Sequence, residues 1–116
     1  VWRLANCLFL LSGLTSAPAL ALDAFKIEGS AFIDEEACAK SARAEGCVLT
    51  FSITGKVAKT LYDGMKVKAV PEECTGGFQK VEESGLNCIR NSDTEYSCDF
   101  GYHFRERSFG GSSMDC

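Results

Sequence analysis

The chain has a single histidine, His103, and only two prolines among 116 residues. Any Ser–His or Cys–His nucleophile pair must therefore pass through His103. No two cysteines stand as C-x-x-C. That removes the close ligand pair of a structural zinc site and the dithiol of a thioredoxin-like redox centre. The longest apolar run is well short of the roughly 20 residues that span a bilayer. Basic residues are in deficit, 12 against 16 acidic for a net charge of −4. This balance argues against nucleic acid and anionic membrane surfaces as partners. There are no repeats and no low-complexity tracts, so a second domain is not expected.

What the chain does have is cysteine, seven in all. The first, Cys7, lies in a segment that reads as a cleaved signal peptide over residues 1–21. Arg3 is followed by an apolar run over Leu4–Leu14 and then by Ala17, Ala19 and Ala21, small residues at cleavage-site spacing. No small residue directly precedes Cys7, which makes lipid attachment a poor fit. Val1 suits a bacterial GUG start translated literally, and a truncated sequence equally.

The expected mature domain is residues 22–116, with 11 basic and 16 acidic residues once Arg3 is gone. It keeps Cys38, Cys47, Cys74, Cys88, Cys98 and Cys116. An even set in a short exported chain reads as three disulfides, formed in the periplasm or outside the cell. A chain of this size buries about 60–65 % of its unfolded surface, so the staples would carry much of its stability.

The pattern predicts an α+β domain, an antiparallel sheet with a C-terminal meander packed by one or two helices. Leu22–Ile27 reads as a short strand. Asp34 is a helix N-cap, with Glu35 and Glu36 in the first turn and Gly46 at the C-terminal stop. Cys47–Ile53 alternates, with Leu49, Phe51 and Ile53 on the buried side. Thr54 caps a second helix over 55–65, whose inner stripe is Val57, Ala58, Leu61, Tyr62 and Met65. Lys66–Val70, Phe78–Glu83 and Leu86–Arg90 read as strands. The last strand is the clearest, with Tyr96, Cys98, Phe100, Tyr102 and Phe104 on one side.

Fifteen pairings exist for six cysteines, and the pattern does not choose among them. It does argue against one. A helix from Cys38 to Glu45 would rise about 10 Å, while a disulfide needs Cα atoms within about 7 Å. Cys38 is therefore expected to avoid Cys47. Cys88 and Cys98 flank a hairpin, and an odd-numbered loop or a bulge would put both on one face, a direct bond between them being one option.

Catalytic, cofactor and metal sites are not expected. His103 reads as an exposed side chain on the outer face of the last strand. The pairs Glu35-Glu36, Glu72-Glu73 and Glu82-Glu83 read as helix-dipole and solubility charges, because a glycosidase needs its carboxylates about 5–9 Å apart across a cleft. Gly110-Gly111-Ser112-Ser113 does not match the G-x-S-x-G elbow. The lysines at 56, 59, 66 and 68 read as a wet face. The most exposed-looking feature is the polar loop 105–115, pinned at Cys116, in which Arg105, Arg107 and Phe109 are candidate partner-binding residues. The expected function is a monomeric, non-enzymatic binding module for a protein partner in the envelope or extracellular space. An inhibitor of a hydrolase is one version of it. The rivals are an envelope structural or stress protein without a discrete ligand and, last, a small hydrolase using His103.

Overall fold

The computed structural model describes Leu22, residues 24–40 and residues 46–114. The expected signal segment, residues 41–45 of the first helix and Cys116 lie outside the described residues. The elements run β1 (Glu28–Ile33), α1 (Glu35–Lys40), β2 (Val48–Thr54), α2 (Gly55–Gly64), β3 (Val70–Pro71), β4 (Phe78–Val81), β5 (Asn87–Arg90), β6 (Tyr96–His103) and β7 (Ser108–Gly110). They form one sheet in the order β1-β2-β6-β5-β4-β3, with β7 also paired to β6. Every pairing is antiparallel. The architecture is thus α+β, as the pattern predicts.

The first strand is displaced from its expected place. Residues 24–27 are irregular and 28–33 pair with residues 49–54 of β2. Gly-Ser-Ala are weak strand formers, and register against β2 overrides them. Gly29 has φ of 152°, and a Cβ there would collide with the Ser52 carbonyl. The expected strand over 66–70 shrinks to Val70–Pro71, because Val67 and Ala69 pack on the core from irregular chain.

The first helix carries the largest correction. Asp34 does cap it, accepting from the Ala37 amide at 3.0 Å. Cys38 nevertheless bonds Cys47, with Cα atoms 4.6 Å apart. The reason is topological. Ile33 and Leu49 face each other across β1 and β2, so the intervening chain must return to where it left. The described helix covers Glu35–Lys40. The second disulfide, Cys88–Cys98, joins directly opposed residues of β5 and β6 with Cα atoms 4.0 Å apart. Its hairpin loop runs over residues 91–95, an odd number. Two disulfides therefore lie within the described residues, against three expected. Cys74 is not a free thiol either, and Cys116, needed to complete the set, lies outside them.

The core sits under α2. Ala58, Tyr62 and Met65 of the helix segment meet Cys88, Tyr96 and Cys98 of the sheet, with Ile53, Leu61 and Leu86 around them. Tyr62 meets Tyr96 edge to face at 5.5 Å. Thr54 occupies the N-cap position but its hydroxyl makes no cap bond. The C-terminal end is closed from the sheet instead. Lys80 Nζ donates to the carbonyls of Tyr62 and Met65 at 2.9 and 3.1 Å. It also lies 4.5 Å from the Tyr62 ring centre, which puts a cation at the carbonyl end of the helix, where the dipole favours one.

Candidate functional site: two faces of one sheet

Two surfaces gather the side chains with chemical interest. The first is the part of the α2-bearing face that α2 leaves uncovered. Alternation places Ala31, Leu49, Phe51, Phe100 and Tyr102 there. Phe51 and Phe100 are opposed across β2 and β6 and stack with centroids 5.0 Å apart. Phe109 on β7 lies opposite Tyr102. Its ring is 6.1 Å from Phe100 and 5.1 Å from Tyr102, the latter edge to face. Even so, Phe109 remains 67 % exposed. It stands between two shallow hollows. One, of about 530 Å³, is walled by Ile27 and residues 29–31 and floored by Phe51 and Phe100. The other, of about 330 Å³, is bounded by Ser84, Leu86 and Gly110.

The expected polar loop 105–115 is thus largely structured. Residues 104–107 form a turn and 108–110 a strand. Arg107 adopts φ of 55°, a left-handed conformation that costs a side-chain-bearing residue about 1–2 kcal/mol. Arg105, Arg107 and Phe109 are therefore brought onto one hairpin. No periodicity marked β7, because three residues are too few to show any.

The second surface is the opposite face of the sheet, crossed by residues 111–114. His103 is half-buried, and its Nε2 lies 2.7 Å from the Gly111 carbonyl. Because a carbonyl only accepts, Nε2 carries the proton. This corrects the expectation of a solvent-exposed histidine. Ser112 hydrogen-bonds the Asp99 carboxylate. The Ser113 amide donates to Thr50 Oγ1 at 3.2 Å, and the two hydroxyls pair at 3.0 Å. The strap inverts the expected burial of β2. Val48 and Thr50, placed outward by the pattern, are 5 % and 1 % exposed, while Leu49 and Phe51 are half-buried.

Beside the strap lies a polar groove of about 590 Å³. Ser52, Asp99 and Asn87 form one rung of its floor, directly opposed across β2, β6 and β5. Ser97, Ile89 and Gln79 form the next rung. Residues 71–75 make one wall and Met114 another. Burial pushes the Asp99 carboxyl up from its ordinary range, and the Ser112 hydrogen bond partly offsets this. Glu72 does the opposite. Its carboxylate accepts from the Thr75 hydroxyl at 2.6 Å and from the amides of Thr75 and Cys74 at 2.8 Å. These bonds, the Thr75 hydroxyl foremost, hold it below the usual carboxylate range. Glu72 thus ties the 72–75 turn together. Glu35, Glu36 and Glu73 remain exposed.

The lysines at 56, 59, 66 and 68 are exposed. Two of them lie over rings, Lys56 over Phe25 and Lys59 over Tyr96. Among the described residues no helix is long and apolar enough to cross a membrane.

No family model, curated protein or solved structure matches this chain.

Proposed function

We propose that this chain is a non-enzymatic binding module of the periplasm or extracellular space that holds a protein partner against the Phe109 hairpin. The observation that carries the reading is Phe109 itself. A large ring is two-thirds exposed on a strand whose neighbours are also aromatic. It rests on a sheet braced by a disulfide between β5 and β6. Aromatic anchors on rigid supports are what protein interfaces concentrate, because little side-chain entropy is lost on binding. The partner this hairpin suits offers an apolar pocket for the ring, with carboxylates at its rim for Arg105 and Arg107. An inhibitor that inserts the hairpin into an enzyme cleft is the specific version. Disulfides in so small a domain favour an oxidising compartment. The engagement of His103 Nε2 with Gly111 weighs against the hydrolase reading.

The test is site-specific photo-crosslinking in the exporting cell, with the reactive group at position 109 and, as control, at Val81 on the opposite face. The expected result is a discrete adduct from 109 alone that disappears when Arg105 and Arg107 are both changed to Glu. An adduct of twice the chain's mass would replace the partner by self-association. Equal adducts from both positions, or none, would overturn the reading.

A further inference from the structure

We propose that the chain pairs with a second copy of itself through the outer edge of β1, antiparallel and centred on Ser30, so that two sheets join into one across a two-fold axis. β1 stands at the end of the strand order and pairs with β2 alone among the described strands. All six of its residues are exposed. Such an edge presents a row of N–H and C=O groups to another strand, and natural edges are commonly blunted by proline, lysine, a bulge or shortness. The far edge of this sheet shows two of these devices, because β3 is only Val70–Pro71. β1 shows none of them. Glu28–Ile33 contains no proline or lysine, and its register against β2 runs without a bulge. One open edge and one blunted edge give a closed pair rather than a fibre.

Charge selects the second copy as the occupant and sets the register. In an antiparallel ladder alternate residues turn their backbone groups to opposite edges, so the two-fold axis must pass beside a residue that opposes itself. With Ser30 on the axis, Lys26 of each copy lies opposite Asp34 of the other, and Glu28 lies opposite Phe32. Both charges are exposed, and Asp34 uses Oδ1 for the Ala37 amide but keeps Oδ2. Opposite charges directly across a pair of strands stabilise it, and like charges destabilise it. With Ala31 on the axis, Glu28 would oppose Asp34 twice over. With Gly29 on the axis, neither Lys26 nor Asp34 would have a charged opposite. The apolar residues agree with the Ser30 register. It sets Ile27 of each copy against Ile33 of the other, and these are 70 % and 41 % exposed in the single chain. Gly29, Ala31 and Ile33 share the face of Phe51, and Ile27 walls the hollow on that face, so both Ile27–Ile33 contacts close over the outer rim of the aromatic surface. Such a pair would stand in place of the expected monomer.

The pairing does not depend on the hairpin reading, since β2 and β6 stand between β1 and the strand that carries Phe109. The experiment is sedimentation equilibrium of the oxidised chain over a concentration series, with amide hydrogen exchange at both ends of the series. A monomer–dimer equilibrium is expected. An interface of this small size is weak, so the series runs to about 1 mM. Exchange protection should rise with concentration in residues 28–33 and not in Val70–Pro71 or β7. Lys26→Glu should weaken the dimer about tenfold, because two attractive pairs become repulsive. Lys68→Glu makes the same change in net charge at an exposed residue away from this edge, and should leave the dimer unchanged. Ser30→Lys sets two lysines against each other on the axis and should weaken it as well. Phe109→Ala should have no effect. The wild-type protection map keeps the test decisive even where a variant folds poorly. A chain that stays monomeric throughout the series would overturn the proposal. So would a dimer protected elsewhere than 28–33, or one that Lys26→Glu and Lys68→Glu weaken equally.

Discussion

Tyr96 and Tyr102 stand on the same face of the same strand and have different surroundings. Tyr96 is buried against Tyr62 beneath α2. Tyr102 is only half-buried, with Phe104 and the exposed Phe109 as its ring neighbours. Dimensions explain the difference. A helix of 10 residues is about 15 Å long and about 10 Å wide. A sheet with six strands abreast is about 24 Å across. One such helix covers part of one face and no more. Alternation along a strand therefore tells which residues share a side, whereas burial depends on what elsewhere in the chain is available to lie on them.

The comparison can be broken most forcefully at α2. Tyr62→Ala should cost about 3–4 kcal/mol, the range for deleting a large buried ring, as measured by urea unfolding. Phe109→Ala should cost less than about 1 kcal/mol. Equal losses would mean that the two halves are one core. Removing the disulfides pairwise sharpens the contrast. Loop entropy assigns about 2.5–3 kcal/mol to either bond, since their separations are 9 and 10 residues. Cys88→Ala with Cys98→Ala should lose more than that, because both sulfurs are fully buried in the core. Cys38→Ala with Cys47→Ala should lose no more than the entropic amount. On the strap-bearing face, Thr50→Val should cost about 1–2 kcal/mol, the range for leaving a hydrogen-bonded partner unmet, here the Ser113 amide.

The smallest effects are in pH dependence, and they have opposite signs. The raised Asp99 contributes stability that is full below its unfolded-state pKa and is lost as pH rises through its folded value. The lowered Glu72 contributes stability that is present above its unfolded-state pKa and is lost as pH falls through its folded value. Asp99→Asn should therefore gain on the wild type as pH rises across the acidic range, and Glu72→Gln should fall behind. Thermal melts at a series of pH values check both. Parallel profiles would mean that neither carboxyl is perturbed by folding.

Much of this fold was legible in the residues. β2, β5, β6 and α2 follow from periodicity, and the Asp34 cap from its chemistry. Ala58, Leu61, Tyr62 and Met65 of the expected stripe pack in the core at helical spacing, while Val57 is half-buried outside that cluster. Hiding both Cys88 and Cys98 left an odd loop or a bulge open, and the five-residue loop over 91–95 is the outcome. What escaped has a common cause, in that long-range pairing overrode local signals. Gly29-Ser30-Ala31 became a strand through β2. Cys38 met Cys47 because β1 and β2 pair at the very residues that the helix connects. Thr50 was buried by Ser113, far along the chain. Arg105, Arg107 and Phe109 were singled out as a loop and turned out to share a hairpin. Nothing marked the groove, because its floor is assembled from single polar residues on separate strands.

The two described disulfides are both local. Cys38–Cys47 and Cys88–Cys98 each close a short loop, whereas the central pair of the sheet brings Val48 to His103 and Thr54 to Ser97. Neither bond spans that junction. Oxidation of these four thiols can therefore finish while β2 and β6 are still apart, and closing the sheet remains a conformational search over a long stretch of chain. For these two bonds, oxidation and nativeness are separate properties. A preparation in which both bonds have formed can still be one in which the sheet has yet to close, and on heating the sheet can part along its middle and re-form with these two bonds intact.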